Sequence, residues 1–181
     1  FSRRQRQMCI RDRYIRDITS GELVTEKIEE TSGSITFSLD DKYFFYSKLD
    51  EFHRPRKIFR HKLGTNIKDD ELIFEEKGEA FTVGINLSSD EKYFFITTSD
   101  HNTSEQYFFP VNEQKPNPKL IKKRKKGIIY SLNSWDNYFY CHTNENAEDF
   151  KIERCKDLLN QNWEIYICLL YTSPSPRDRV L

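Results

Sequence analysis

A chain of 181 residues can bury a sizeable core, and this one is 36% hydrophobic, 14% aromatic and 32% charged. Its 29 basic and 29 acidic residues balance, so it lacks the basic footprint that nucleic-acid binding requires. No long apolar run implies a transmembrane helix, and the basic residues 1–13 lead into no apolar stretch of a signal peptide.

The two ends read differently from the rest. The codons ATG TGT ATA AGA GAC for Met8–Asp12 have the reverse complement GTCTCTTATACACAT. A shifted frame of that string encodes Leu-Leu-Tyr-Thr, the residues at Leu169–Thr172. One short DNA element in opposite orientations therefore accounts for both ends, and residues 1–13 and 168–181 are expected to be translated sequencing adapter. A first residue of Phe1 rather than Met agrees with an incomplete reading frame. The competing reading is a basic arm and a Ser-Pro linker. Without the tails, 22 basic and 27 acidic residues remain, a net charge of −5. Cys141 and Cys155 also remain, with no C-x-x-C, so neither a zinc site nor a disulfide framework is indicated. A reducing, cytoplasmic setting is expected.

Residues 14–167 repeat themselves. Tyr14–Ile18, the turn Thr19-Ser20-Gly21 and Leu23–Glu30 read as the last two strands of a preceding unit. The first full unit opens with the apolar run Ile35–Phe37, a polar turn, and the aromatic strand Lys42–Lys48. Arg56–Leu63 and Glu71–Phe74 follow as its third and fourth strands, separated by the turn Gly64-Thr65-Asn66. In the second unit Val83–Leu87, Lys92–Thr98, Glu105–Val111 and Lys119–Lys122 take the same places. Ser38-Leu39-Asp40-Asp41-Lys42-Tyr43-Phe44-Phe45 returns as Ser88-Ser89-Asp90-Glu91-Lys92-Tyr93-Phe94-Phe95 at an offset of 50. The third unit has Ile128–Leu132, Asn137–His142, Phe150–Arg154 and Trp163–Tyr166, with Ser134–Tyr140 as a weaker copy offset by 44 from the second. Periods of 40–50 residues, four strands per unit and strands rich in Phe, Tyr and Ile predict an all-β fold. The expected architecture is a partial β-propeller, about three four-stranded blades plus strands of a preceding blade. Only Glu145–Asp149 and Cys155–Asn160 have helix-like composition, and both are short enough to be loops.

Candidate chemistry is sparse. There is no G-x-S-x-G nucleophile elbow, no Gly-rich phosphate loop and no H-E-x-x-H. His53, His61, His101 and His142 are too scattered for a metal site and read as loop histidines. The pairs Asp40-Asp41, Asp69-Asp70 and Glu75-Glu76 read as solvated turn residues, not as a general acid and base. Lys122-Lys123-Arg124-Lys125-Lys126 reads as a solvated loop joining two units, because no aromatic platform interleaves it. No catalytic, cofactor-binding or metal-binding residue is assigned to this chain, and no cofactor is expected.

Three strings go beyond generic repeat grammar. They are Leu49-Asp50-Glu51-Phe52-His53-Arg54-Pro55-Arg56-Lys57-Ile58-Phe59-Arg60-His61-Lys62-Leu63-Gly64-Thr65, Ser99-Asp100-His101-Asn102-Thr103-Ser104-Glu105, and Tyr138-Phe139-Tyr140-Cys141-His142-Thr143-Asn144 with Ala147 and Phe150. Together they resemble the prolyl oligopeptidase family of serine peptidases, in its trypsin-like, oligopeptidase B branch. The resemblance spans residues 14–167.

That resemblance implies a seven-bladed N-terminal propeller capping a C-terminal α/β-hydrolase domain, which would be this chain's partner. It also implies cleavage of short basic peptides after Arg or Lys by a Ser-Asp-His triad, none of which lies in this chain. The propeller would select substrates by access, with opening and closing of the two domains gating entry. Neither nucleic acid nor membrane is an expected partner. The reading from another class is a free-standing propeller that serves as a binding scaffold without peptidase activity. A third is a member of the same family with prolyl specificity.

Overall fold

The computed structural model describes residues 14–23 and 27–168. The expectations for residues 1–13 and 169–181 thus lie outside the described residues, while Cys168, counted above with the second tail, closes the last strand. Twelve strands follow one another among the described residues: β1 (Thr31–Phe37), β2 (Tyr43–Leu49), β3 (Pro55–Lys62) and β4 (Glu71–Glu75); β5 (Thr82–Leu87), β6 (Tyr93–Ser99), β7 (Ser104–Pro110) and β8 (Lys119–Lys122); β9 (Tyr130–Trp135), β10 (Tyr138–Thr143), β11 (Lys151–Cys155) and β12 (Glu164–Cys168). They form three four-stranded sheets, each in sequence order, β1-β2-β3-β4, β5-β6-β7-β8 and β9-β10-β11-β12. A single 3-10 turn at Ile67–Asp69 is the one helical element described, and no helix there is long and apolar enough to cross a membrane. Contacts divide the chain into two compact units, Phe1–Asn86 and Leu87–Leu181.

The all-β expectation and the aromatic strands in the interior of their sheets hold. Of the expected preceding unit, the described residues show an antiparallel bridge between Arg16 and Leu23 across the turn and a further bridged residue, Ile28, with no longer strand. Asp17 organises this turn, its carboxylate accepting from Thr19 N at 2.8 Å and Ser20 N at 2.7 Å. A turn of this kind satisfies its own backbone, so it forms without a paired sheet around it.

The repeat is chemical as well as sequential. In the β1–β2 loop Ser38 Oγ donates to Asp40 Oδ1 at 2.7 Å and accepts from Tyr43 N at 3.0 Å, and Asp41 takes φ +53°. In the β5–β6 loop Ser88 Oγ donates to Asp90 Oδ1 at 2.8 Å and accepts from Tyr93 N at 3.0 Å, and Glu91 takes φ +57°. Ser and Asp side chains replace missing backbone partners in both turns. The third copy differs. Asp136 and Asn137, at φ +49° and +60°, close β9 onto β10 as a two-residue hairpin, with Trp135 opposite Tyr138. Two successive left-handed residues match the twist of the flanking strands.

This shorter turn corrects the offset of the third copy. Burial along β6 runs intermediate, buried, buried, buried from Tyr93, and along β10 intermediate, buried, intermediate, buried from Tyr138. Tyr138 therefore stands where Tyr93 stands, at an offset of 45, not 44. The difference matters because a slip of one residue exchanges the two faces of a strand. Phe139 corresponds to Phe94, and Tyr140 to Phe95.

In the second unit one core joins two sheets. Phe95, Phe108 and Ile121 pack with Tyr130, Leu132, Phe139, Cys141, Cys155 and Leu158, all buried. Each large apolar side chain of this set contributes about 1.5–3 kcal/mol by leaving water. In the first unit Phe44 and Tyr46 pack with Ile28, and Ile15, Ile35, Phe59, Leu63 and Ile67 surround them. Phe45 is also buried, so both faces of β2 are covered.

Candidate functional site

The arrangement nearest to acid–base machinery lies under the first sheet. His61 on β3 places Nδ1 2.6 Å from Asp70 Oδ1, and Tyr46 OH on β2 donates to Asp70 Oδ2 at 2.7 Å. The His61 side chain is 0% exposed and that of Asp70 3%, so no substrate can reach them. Burial and then the Asp70 carboxylate push the Tyr46 phenol far above its ordinary range. The trio is a buried polar joint, satisfied on all three members, which positions the chain after the 3-10 turn.

This corrects two expectations. His61 is a strand residue of the core, and Asp70 is not solvated. Glu76 is likewise buried, its Oε1 accepting from Gly78 N at 2.6 Å. Alternation on β3 directs His61 inward, and the partners of Asp70 lie 9 and 24 residues away, whereas Glu76 takes its donor from two residues on. His53 sits at φ +58° in the β2–β3 loop, His101 is exposed in the β6–β7 loop, and His142 stacks on Phe150 at 4.7 Å. Among the described residues no three His, Cys, Asp or Glu side chains group to hold a metal.

The three distinctive strings fold into joints. In the first, Asp50 Oδ1 accepts from Phe52 N and Arg54 N, both at 2.9 Å, and shapes the β2–β3 loop. Burial raises the Asp50 carboxyl, but the amides of Arg54 and Phe52 outweigh it and hold the group below the usual range. Arg56 donates through Nε at 3.1 Å and Nη2 at 2.8 Å to Glu76 O, while Arg54 Nη1 donates to Glu79 O at 2.5 Å. Both guanidinium groups thus fasten the link from β4 to β5. They also line a cleft of about 610 Å³ with Asp50, Glu51, Phe52 and Glu75.

In the second string Asp100 repeats the role of Asp50, accepting from Asn102 N at 2.8 Å and Thr103 N at 2.7 Å. Ser104 Oγ donates to Tyr130 O at 2.7 Å and accepts from Tyr130 N at 2.6 Å. Two residues on, Gln106 Oε1 accepts from Leu132 N at 2.6 Å. Side chains of β7 thereby occupy backbone groups of β9 that would otherwise present a bare edge. In the third string Asn144 accepts from Ile129 N at 2.8 Å and donates to Gly127 O at 2.9 Å.

The basic run is less solvated than expected. Lys122 lies over the Trp163 ring at 4.5 Å and 3.7 Å from Glu153. Arg124 donates to the buried Glu105 through Nε at 3.0 Å and Nη2 at 2.6 Å, and Lys125 pairs with Glu145 at 2.5 Å. Lys123 and Lys126 are exposed. Cys141 and Cys155 are free, buried thiols in the core of the second unit, and burial pushes them up to about 12 and about 11. They carry little thiolate at neutral pH and are poor nucleophiles.

Comparison with known proteins gives the chain a family. Residues 10–167 match the family model described as prolyl oligopeptidase, N-terminal beta-propeller domain. The chain is 35% identical to Protease 2 of Moraxella lacunata over 93% of its own length and 25% of that protein's. Oligopeptidase B from Trypanosoma brucei superimposes with a TM-score of 0.74 at 24% identity, over 78% of this chain and 21% of that one. A structure from a study of two prolyl endopeptidases gives a TM-score of 0.72 at 23% identity, over 86% of this chain and 25% of that one. The chain thus spans about a quarter of the length of the relatives it matches. It belongs to the N-terminal β-propeller domain family of the prolyl oligopeptidases.

Proposed function

We propose that this chain is the substrate-gating propeller portion of a serine-type oligopeptidase that cleaves short peptides after Arg or Lys. Catalysis belongs to an α/β-hydrolase domain of the same protein, where a serine attacks the peptide carbonyl, a histidine takes its proton and an aspartate orients the histidine. The observation that carries this reading is the 35% identity to Protease 2 across 93% of the chain.

The residues described above supply rigidity rather than chemistry. The joints at Arg56–Glu76 and Ser104–Tyr130 hold neighbouring strands and sheets in register, as a wall that excludes folded proteins must be held. The net charge of −5 over residues 14–167 favours the approach of basic peptides. Two free, buried thiols suit a reducing, cytoplasmic setting.

The test is to produce both this 181-residue chain and the complete reading frame that contains it, and to assay an Arg-containing fluorogenic dipeptide. Turnover is expected from the complete protein alone. Cleavage after Pro but not Arg would overturn the specificity while leaving the family. A complete protein without hydrolase activity would favour the scaffold reading. Turnover by the chain alone, abolished by a serine-directed inhibitor, would refute the assignment of catalysis to another domain.

A further inference from the structure

The two faces of the third sheet carry different chemistry. One, with Leu132, Phe139, Cys141 and Cys155, is buried against Phe95, Phe108 and Ile121 of the second sheet. On the other, Tyr138 and Tyr140 alternate along β10, and Arg154 on β11 lies opposite Tyr140. The Arg154 guanidinium sits 4.7 Å from the ring centres of both Tyr138 and Tyr166, and Tyr166 meets Tyr140 edge-on at 5.5 Å. Arg154 Nε donates to Glu164 Oε1 at 2.6 Å. Its two terminal nitrogens, and the hydroxyls of Tyr138, Tyr140 and Tyr166, have no hydrogen-bond partner among the described residues.

The repeat states what these positions do one unit earlier. Tyr140 corresponds to Phe95, and Arg154, opposite Tyr140, to Phe108, opposite Phe95. Phe95 and Phe108 are buried by the next four-stranded unit. The third sheet thus keeps the position of a covered face and changes its chemistry, from two phenylalanines to a tyrosine and a stacked arginine.

We propose that this face receives a further four-stranded unit of the same polypeptide, and that the unit meets it with carboxylate and carbonyl acceptors rather than with an apolar surface. An apolar cover would bury the Arg154 nitrogens and three phenolic hydroxyls without partners, and each such group costs about 1–3 kcal/mol. Acceptors satisfy them, and a guanidinium already stacked between two rings loses little freedom on binding. Such a seam is weakened by salt more than the Phe95–Phe139 seam, which adds a buried apolar cluster to its Lys122–Glu153 and Lys125–Glu145 pairs. Between the two, the polar seam is the one at which a ring of these units parts more readily. The inference rests on the repeat and not on the peptide specificity proposed above.

The experiment is hydrogen exchange on the complete protein, in wild-type and Arg154→Leu forms, at low salt and at about 1 M salt. Wild-type protein should protect β11 and β12 at low salt and lose roughly tenfold of that protection at high salt, while β7 and β8 keep theirs. Arg154→Leu should show the faster exchange at both salts, and Arg154→Lys should recover part of the salt dependence. Equal, salt-independent protection of β8 and β12 would overturn the polar seam. Full exposure of Tyr140 and Tyr166 to a tyrosine-modifying reagent in the complete protein would overturn the covering unit. A stable dimer of the 181-residue chain that Arg154→Leu dissociates would assign the face to a second copy instead, and would also overturn the proposal.

Discussion

Ser104 and Tyr130 hold each other by two hydrogen bonds: one hydroxyl both accepts from the Tyr130 N–H, at 2.6 Å, and donates to the Tyr130 carbonyl, at 2.7 Å. The contact joins the third strand of one unit to the first strand of the next, and it completes the backbone pairing of β9 where no strand lies alongside. Removing it is therefore not equivalent to removing a surface hydroxyl.

Ser104→Ala leaves a buried N–H and a buried C=O without partners, and should cost about 1–3 kcal/mol. The urea midpoint should fall with an unchanged slope. Ser131→Ala, at an exposed position of β9, should stay within about 0.5 kcal/mol of the parent. Equal effects from the two variants would show that the edge of β9 is satisfied in another way.

Arg56 is held to Glu76 O by two nitrogens of its planar fork. Arg56→Ala should lower stability by about 1 kcal/mol, since the group is partly exposed. An ammonium cannot present the same fork, so Arg56→Lys should recover less than half of that loss. Denaturant midpoints of the three forms make the comparison.

Glu91 holds φ +57° on an exposed turn, and its side chain makes no hydrogen bond or ion pair among the described residues. Glu91→Asn tolerates that left-handed backbone better and should stabilise the chain by up to about 1 kcal/mol. A thermal midpoint at or below that of the parent would contradict the assigned strain.

The buried thiols impose a pH dependence on the second unit. Their folded values, about 12 for Cys141 and about 11 for Cys155, lie above the ordinary thiol value of 9.0. The unfolded chain therefore releases these protons first as pH rises. Their contribution is complete below about pH 9 and is lost progressively above it, by about 1.4 kcal/mol per pH unit for each thiol that ionises only when unfolded. Cys141→Ser should flatten the alkaline limb of a stability–pH curve, whatever it does at neutral pH. A disulfide reagent should label both thiols only in denaturant.

The local layer was legible in the chain itself. Ser38-x-Asp40 and Ser88-x-Asp90 build their turns from bonds within six residues, so an offset of 50 in the sequence reappears as the same hydrogen bonds in space. Runs rich in Phe, Tyr and Ile marked the strands for a comparably local reason, the fit of these side chains to a pleated backbone. The long-range layer was not legible. Nothing near Ser104 in the chain names Tyr130, and nothing near Arg124 names Glu105, because the first pair, 26 residues apart, meets only when sheets stack and the second, 19 apart, only when β8 pairs with β7. The offset of the third copy failed by one residue because a two-residue hairpin replaced a five-residue loop, and only the burial of Phe139 beside the partial exposure of Tyr140 distinguishes the faces. Asp70 and Glu76 were read as solvated because a carboxylate in a turn is usually wet. Tertiary structure supplied His61 and Tyr46 as partners of Asp70, and it buried Glu76 although that carboxylate's donor, the Gly78 amide, is only two residues away. Sequence by itself determined the units, their turns and their family. Tertiary structure decided which side chains became joints between them, since a joint depends on what the neighbouring sheet presents.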